Sequence, residues 1–317
     1  MDESAVRAAA WPELPYGAWS DTCAALHLWV QIAGKYRLSH TPWLNHSWHA
    51  TLYVTPRGLT TGPVPDGERT VTLTFDFRDH VLEAETAERR DSFALEPMSV
   101  RDFLARTTAL VEGLGGRMAI GAFPSEVPNP VRFADDAALR PYDPAAVSRY
   151  HRALQSVSGV FQAFRTGFIG KVSPVHLFWG SFDLAVTRFS GRRAPVHPGG
   201  VPGLPDTVTR EAYSHEVSSA GFWPGDASVG EAMFYSYAYP APPGFAQRPG
   251  GVAAARFDSG LGEFLLPYEA VRTAADPAGE LLRFLQATYD AAADLAAWDR
   301  AALECAPGVP MVPRPVG

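Results

Sequence analysis

Two segments of this 317-residue chain share one pattern, and that repeat constrains the fold more than any other feature of the sequence. Each begins at a proline and reaches a Leu-x-Val-Thr ending at the same spacing, over Pro42–Thr55 and Pro174–Thr187. A stretch with helical periodicity precedes each segment, and β-rich runs and a second helical stretch follow it. The order helix, four strands, helix therefore occurs twice. It predicts an α+β chain whose antiparallel sheets are backed by helices, with internal duplication. The alternative is a single α+β domain with accidental similarity between its halves.

The predicted elements follow from caps, periodicity and β-propensity. The two repeated segments are themselves taken as strands. The predicted helices are Ser20 to about Tyr36, Ser99–Gly113, Asp143 to about Phe168, and about Pro277 to Leu303. The other predicted strands are residues 70–77, 81–86, 92–95, 232–239, 252–257 and 263–267.

The repeat also predicts how the chain is divided. Residues 1–116 form a first α+β repeat, and residues 117–305 form a second repeat that packs with the first as one unit. The second repeat carries an extra segment, residues 189–230, which is predicted as an inserted loop. Residues 306–317 are predicted to be a disordered tail, as chain ends without packing partners usually are.

Composition narrows the class of protein. The chain is 46% hydrophobic with a net charge of −7 and has no basic run, which argues against partners such as nucleic acid or a membrane surface. No apolar stretch approaches the 18 or so residues of a membrane span, and the first residues are acidic, so a cytoplasmic protein is expected. The two cysteines, Cys23 and Cys305, form no CxxC pair and are interpreted as reduced thiols.

Strand alternation divides each repeated segment into an apolar face and a mixed polar and aromatic face. The apolar residues are assigned to the core. The mixed face is predicted to bind a ligand, because it is too aromatic for plain solvent and too polar for a dry core. Its candidate residues are His49, Trp179, Ser181 and Asp183. The alternative is a half-exposed sheet face that a loop covers.

The segment Tyr213–Asp226 is predicted to be a lid over that face. It contains an adjacent imidazole and carboxylate, His215 and Glu216, and an aromatic pair that ends in Trp223. Folding over the face would place Glu216 or His215 beside Asp183 as a catalytic acid–base pair. The alternative is a buried structural turn.

Lysine occurs only at positions 35 and 171, against 25 arginines, and each follows a glycine at the end of a predicted helix. One interpretation is a favourable contact between a cation and the helix dipole. The other is a functional ammonium, which binds an anion or acts as a base or Schiff-base nucleophile. In that second interpretation Lys171, Arg188 and Arg192 form an anion clamp. The spacing of His27, Gln31 and Lys35 predicts a polar stripe on the solvent face of the first helix.

No motif indicates a metal or a cofactor. No HxH, HExxH or CxxC pair is present, and no glycine-rich phosphate loop or GxSxG elbow follows a strand. We therefore expect no metal site, no cofactor and no nucleotide-dependent chemistry.

Five phrases of the sequence resemble an uncharacterised bacterial family, a domain of unknown function, over about Trp11 to Glu304. They are Ser173–Leu184, Thr187–Arg192, Ser214–Glu216, Phe222–Gly225 and Tyr235–Tyr237. The resemblance implies a discrete globular family. It carries no activity, so no catalytic residue is transferred from it.

These observations lead to a hypothesis of an enzyme that acts on a small, polar, anionic metabolite. Asp183, His215 and Glu216 would transfer protons, and Trp179 and Trp223 would exclude water. The alternatives are a non-catalytic small-molecule-binding module and an oligomeric scaffold with aromatic interfaces. The sequence leaves the substrate, the reaction and the oligomeric state open.

Overall fold

The computed structural model describes residues 9–314 and has the α+β architecture that the sequence predicts, with two antiparallel six-stranded sheets. The helices are α1 (Ser20–His40), α2 (Val100–Gly113), α3 (Pro144–Thr166), α4 (Asp206–Ala212), α5 (Tyr268–Arg272), α6 (Pro277–Leu295) and α7 (Arg300–Leu303). The first sheet contains β1 (Tyr53–Val54), β2 (Gly58–Thr60), β3 (Val64–Asp66), β4 (Arg69–Asp76), β5 (Val81–Glu85) and β6 (Arg90–Ala94). The second sheet contains β7 (His176–Phe178), β8 (Asp183–Arg193), β9 (His215–Trp223), β10 (Met233–Tyr239), β11 (Arg256–Asp258) and β12 (Glu263–Pro267).

The two sheets meet at their edge strands. The first sheet has the order β1-β2-β4-β5-β6, with β3 paired to β4, and the second has the order β11-β12-β10-β9-β8-β7. Next to β1 and within β7, Leu52 and Leu177 exchange both backbone hydrogen bonds, at N···O distances of 3.0 and 2.8 Å. This pair connects the hydrogen-bonded ladders of the two sheets.

Helix caps explain where two of the helices begin. The Asp143 side chain accepts hydrogen bonds from the first turn of α3, and Ser99 does the same for α2. The helix predicted to reach Leu303 is wrong in its second part. It ends at Leu295, and Ala297 adopts a left-handed φ of 51°, which a continuous α-helix does not allow.

The repeated segments are not the matching strands that we predicted. In the first, Asn45–Ser47 is a 3₁₀ turn in which His46 and Ser47 both have φ of 58°, and only Tyr53–Val54 is extended. The second is a hairpin of β7 and β8, closed where the Phe182 N–H donates to the Phe178 carbonyl at 2.8 Å. Left-handed backbone at His46 and Phe182 interrupts the strands, so alternation cannot be carried through either segment.

The predicted inserted loop is also wrong. Residues 189–230 contain the end of β8, helix α4 and strand β9, and β9 lies between β8 and β10 inside the sheet. Ser218, Ser219 and Gly221 gave β9 little intrinsic strand propensity, yet hydrogen bonds to strands on both sides hold it extended.

The core explains which face of the second sheet is free for a site. One face, with Leu184, Phe222 and Leu266 fully buried, packs against α3 and α6. The helices of the first half, α1 and α2, pack on each other, and α2 also packs on β5 and β6. No helix within residues 9–314 is long and apolar enough to cross a membrane.

The end of the chain is described only in part. Residues 306–314 are placed, and the Arg314 guanidinium donates to the Thr166 carbonyl at the end of α3. The rest of the predicted disordered tail, residues 315–317, lies outside the described residues.

Candidate functional site

The second face of the second sheet carries hydroxyl and carboxyl groups. Backbone pairing aligns Thr187 of β8 with Ser219 of β9 and Tyr237 of β10, so the three side chains share this face. The same alternation places Asp183, Tyr235 and Glu263 on it, and these six residues are called the polar face below. Sequence reasoning had placed Asp183 on such a face.

Asp183 is the most enclosed acid of the polar face. Its side chain is 6% exposed and accepts hydrogen bonds from the Ser181 hydroxyl and the Tyr235 hydroxyl. Burial raises the pKa of the Asp183 carboxyl, and the two hydrogen bonds act in the opposite direction. Ser181 is exposed, so the Asp183 end of the site reaches solvent.

Glu126 comes to this site from the loop between α2 and α3. Its backbone is left-handed, with φ of 58°. Two glycines make room for it: a Cβ on Gly180 would lie 2.1 Å from Glu126 Oε1, and a Cβ on Gly203 would lie 2.7 Å from the Glu126 nitrogen. Burial and the neighbouring Asp183 charge raise the pKa of Glu126 to about 7, and Lys35 opposes them. The sequence hypothesis had omitted Glu126.

Polar residues of α1 hold the Glu126 loop in place. The Gln31 amide accepts from the Ser125 N–H at 2.7 Å and donates to the Ser125 carbonyl at 3.0 Å, and Lys35 Nζ donates to Ser125 Oγ at 2.8 Å. Lys35 is 8% exposed and lies 5.1 Å from the Trp179 ring centroid. The prediction that this stripe faces solvent is wrong, because the stripe is covered by the loop and by the β7–β8 turn. Burial lowers the pKa of Lys35, and Glu126 opposes that shift.

Tyrosines and a third carboxyl complete the site. The hydroxyls of Tyr213 and Tyr237 are 2.8 Å apart, and the Thr187 and Ser219 hydroxyls are 2.8 Å apart beside them. Burial, together with the Asp183 and Asp258 charges, raises the pKa of Glu263 to about 7. Burial also raises the pKa of Tyr213, so its hydroxyl stays protonated and can donate.

The proposed acid–base partner Glu216 is not beside Asp183. Alternation along β9 places Glu216 on the opposite face of the sheet, where it accepts from Ser190 and pairs with Arg192 at 2.8 Å. Arg192 also donates to the Ala296 carbonyl just beyond α6. This geometry corrects the predicted lid, because β9 is part of the sheet and does not cover it.

The predicted anion clamp does not assemble either. Arg188 is 1% exposed on the core face, donates to the Phe164 carbonyl and lies 3.5 Å from the Phe164 ring centroid. Burial lowers its pKa to about 10. Lys171 lies instead against Phe189, on the polar side of β8. Phe189 is six residues from Asp183, which corresponds to about 20 Å along the strand.

The remaining predicted residues divide between the two ends of the sheet. Trp223 follows Phe222 at the end of β9 nearest Asp183 and is half-buried. Trp179 lies under Lys35, and its indole N–H donates to the Ala50 carbonyl at 2.6 Å. His215 lies near His46, with ring centroids 6.4 Å apart, at the Lys171 end. His49 accepts from the Leu44 N–H at 3.2 Å and stays with its own loop.

Two further observations bear on what the site can hold. Two cavities of about 220 and 420 Å³ lie away from the polar face, one against α2 and one beside α5. Within residues 9–314, no three His, Cys, Asp or Glu side chains are arranged to hold a metal ion.

Comparison with known proteins gives one match. A family model described as "Family of unknown function (DUF5996)" matches residues 11–305. No curated protein and no solved structure matches the chain.

Proposed function

The chain belongs to DUF5996, a family of unknown function, and from its own residues we propose that it is an enzyme with Glu126 and Asp183 as acid–base groups. The proposed active site is the polar face with the Glu126 loop above it. The substrate is a small polar molecule, and the reaction includes a proton transfer to or from it. The proposed reaction uses no nucleotide.

The unpartnered carboxyl of Glu126 carries the proposal. Among residues 9–314 its side chain has no hydrogen bond and no ion pair, and its carboxyl oxygens are not fully buried, so they are open to a ligand. With a pKa near 7, Glu126 populates both protonation states at neutral pH, which suits a general acid or base. Its left-handed backbone is the kind of local strain that proteins keep at functional sites.

The neighbouring groups have distinct roles in this proposal. Asp183 is oriented by Ser181 and Tyr235 and acts as the second carboxyl of the pair. Because the charges of Glu126 and Asp183 repel each other, ionisation of one favours protonation of the other. Lys35 holds the Glu126 loop through Ser125 and supplies a nearby positive charge.

Charge at the site selects the substrate class. Three carboxyl groups with raised pKa face one ammonium, while Arg188 and Arg192 lie on the other face. An anion would be repelled whenever these acids ionise. We therefore propose that the substrate is an uncharged or cationic molecule rich in hydroxyl or amino groups, and not the anionic metabolite of the sequence hypothesis.

A second candidate function is a binding module without turnover. The hydroxyl array of Tyr213, Tyr237, Ser219 and Thr187 favours it, because such an array can hold a polyol whether or not a proton is transferred. The two functions differ in the effect of Glu126→Gln. That change removes the transferable proton and keeps the size of the side chain.

The experiment begins with a thermal-shift screen of the full chain against polyols, amino sugars and small amines. Each ligand that raises the melting temperature is then incubated with the protein and analysed for conversion by mass spectrometry. We expect one class of ligand to stabilise both the wild type and Glu126→Gln, with turnover at least about 100-fold slower in the variant. Gly180→Ala should weaken the ligand-induced shift, because its Cβ would lie 2.1 Å from Glu126 Oε1 and displace that carboxyl.

Glu216→Gln is the matched control, since it makes the same chemical change on the opposite face of the sheet. It should retain both the thermal shift and the turnover. Equal turnover in Glu126→Gln and the wild type would remove Glu126 from the mechanism. Binding without conversion of any ligand would establish the binding module, and a screen with no hit would contradict both.

A further inference from the structure

Lys171 has surroundings unlike those of an ordinary surface lysine. It is exposed, and its Nζ lies 2.6 Å from His46 Nε2. The same nitrogen lies 4.7 Å from the ring centroid of Phe189 and 5.3 Å from that of Trp48. The amine is therefore open to solvent on one side and enclosed by an imidazole and two aromatic rings on the others.

The hydrogen bonds of His46 determine its tautomer. His46 Nδ1 lies 2.7 Å from the Ala212 carbonyl, which can only accept, so Nδ1 carries the proton. Nε2 therefore has a free lone pair, and it accepts from Lys171. The His46 backbone N–H donates to Glu211 Oε2 at 2.8 Å, and the side chain is 5% exposed, so the ring is fixed in this orientation.

Burial favours the neutral amine of Lys171 and lowers its pKa, and the nearby Glu211 charge opposes this shift. Within residues 9–314 no carboxylate forms an ion pair with Lys171. Burial also lowers the pKa of His46, so the imidazole is neutral at pH 7. Glu211, His46 and His215 are the titratable groups around this amine.

We propose that Lys171 is a nucleophilic amine that forms an imine with an aromatic aldehyde, with His46 as its proton acceptor. The Nζ lone pair attacks the carbonyl carbon, and His46 Nε2 accepts a proton from Nζ and returns it to the carbonyl oxygen to give a carbinolamine. Loss of the second Nζ proton and of the hydroxyl group then releases one water molecule and forms the C=N bond. No oxidant or reductant is needed. The half-buried Trp48 ring provides a flat apolar wall for the aromatic ring of the aldehyde, and the buried Phe189 ring lies behind the amine.

This site is independent of the acid–base site at Asp183, which lies about 20 Å along β8. The second of the two lysines in the chain serves as an internal control for the reactivity of Lys171. The other lysine, Lys35, also lies over a tryptophan ring, but it is buried and hydrogen-bonded to Ser125. The two lysines therefore differ in access and in the group that accepts the proton.

The test uses the full chain with benzaldehyde, reduction by sodium cyanoborohydride and peptide mapping by mass spectrometry. We expect Lys171 to be labelled at least about tenfold faster than Lys35, and the labelling of Lys171 to fall at least about tenfold in His46→Gln. In the wild type, the labelling rate of Lys171 should reach half its maximum at a pH below that of a free lysine side chain.

The wild-type pH profile keeps the test valid if His46→Gln does not fold. Equal labelling of the two lysines would overturn the proposal, and so would a Lys171 profile with the midpoint of a free lysine. Propanal is the control for the aromatic wall. If propanal labels Lys171 over Lys35 with the same preference as benzaldehyde, the assignment of an aromatic substrate is wrong.

Discussion

At the scale of single residues, the molecule places uncommon constraints on Glu126. The side chain is held by a left-handed backbone, by two glycines that leave space for it, and by a loop that α1 fixes through Ser125. No hydrogen bond within the described part of the chain offsets the burial of its carboxyl. Such a residue lowers the free energy of unfolding, which is typical of a residue that a protein retains for function.

Glu126 should make stability depend on pH in a defined direction. Its pKa is about 7 in the folded chain against an ordinary value of 4.5, so between these values the folded chain holds a proton that the unfolded chain has released. The free energy of unfolding should therefore fall as pH rises from about 4.5 to about 7. In Glu126→Gln this contribution, about 1–3 kcal/mol, should be absent.

Urea unfolding of both proteins between pH 4 and pH 8 measures this difference. Glu263 contributes with the same sign in both proteins, so the difference between the two curves reports Glu126 together with its coupling to Asp183. Parallel curves across that range would mean that Glu126 ionises at its ordinary pH.

Residue-level reasoning from the sequence predicted only part of the candidate site. Asp183, Ser181 and Trp179 were predicted because an acid among aromatic residues is visible in one phrase. Glu126 was missed because its partners are glycines 54 and 77 positions away in the chain, and an absent side chain gives no local signal. The alternation of Tyr235 and Tyr237 on β10 was the available signal for the hydroxyl array.

At the scale of elements, α3 shows how a cap determines where a helix starts. The Asp143 carboxylate accepts from the N–H groups of Ala145 and Ala146, at 2.9 and 3.2 Å, immediately before Pro144 begins the helix. Because α3 supports the core face of the second sheet, this local interaction contributes to global stability.

Asp143→Ala should lower the free energy of unfolding by about 1 kcal/mol, since a carboxylate cap that satisfies two N–H groups is removed. Asp143→Asn should lose less, because an asparagine side chain also accepts from the first turn. Chemical denaturation of the three proteins provides the comparison. Equal losses in the two variants would show that the charge of Asp143, and not its capping hydrogen bonds, stabilises α3.

Two predictions at this scale were wrong, for different reasons. The hairpin of β7 and β8 was read as one strand, although Gly180 and Ser181 are ordinary turn residues in its middle. Strand β9 was predicted as part of an inserted loop because the first repeat has no matching segment, and its serines and glycine are poor strand formers. For β9, pairing with strands on both sides determined the outcome, and a pattern within one segment does not contain that information. For the hairpin, the local turn signal was present, and the repeat pattern outweighed it.

At the scale of the whole molecule, contacts cross between the two halves at several levels. The sheets are joined at Leu52 and Leu177, and the α1 residues His27 and Lys35 contact the β7–β8 turn. Each lysine also contacts a tryptophan of the other half: Lys35 lies over Trp179, and Lys171 lies over Trp48. This exchange fits the predicted duplication, which stays a prediction, as do the boundaries of the two repeats.

We expect the chain to unfold as one cooperative unit. Buried residues from both halves form one continuous core, and the first half alone would expose Leu52 and the α1 surface that contacts the β7–β8 turn. Differential scanning calorimetry should show a single transition in which the calorimetric and van't Hoff enthalpies agree. Two resolved transitions, or a folded fragment 1–116, would mean that the halves are independent domains.

The glycines around Glu126 also have an evolutionary consequence. A Cβ at position 180 would displace the Glu126 carboxyl, and a Cβ at position 221 would meet the Tyr235 hydroxyl. Selection on the acid and on the tyrosine is therefore expected to act on these two glycines as well. Gly203 differs, because its φ of 70° and the Glu126 backbone nitrogen beside it require glycine with or without the acid. A relative that lost the acid would be free to vary at position 180, so Gly180 should indicate which lineages retain a working site.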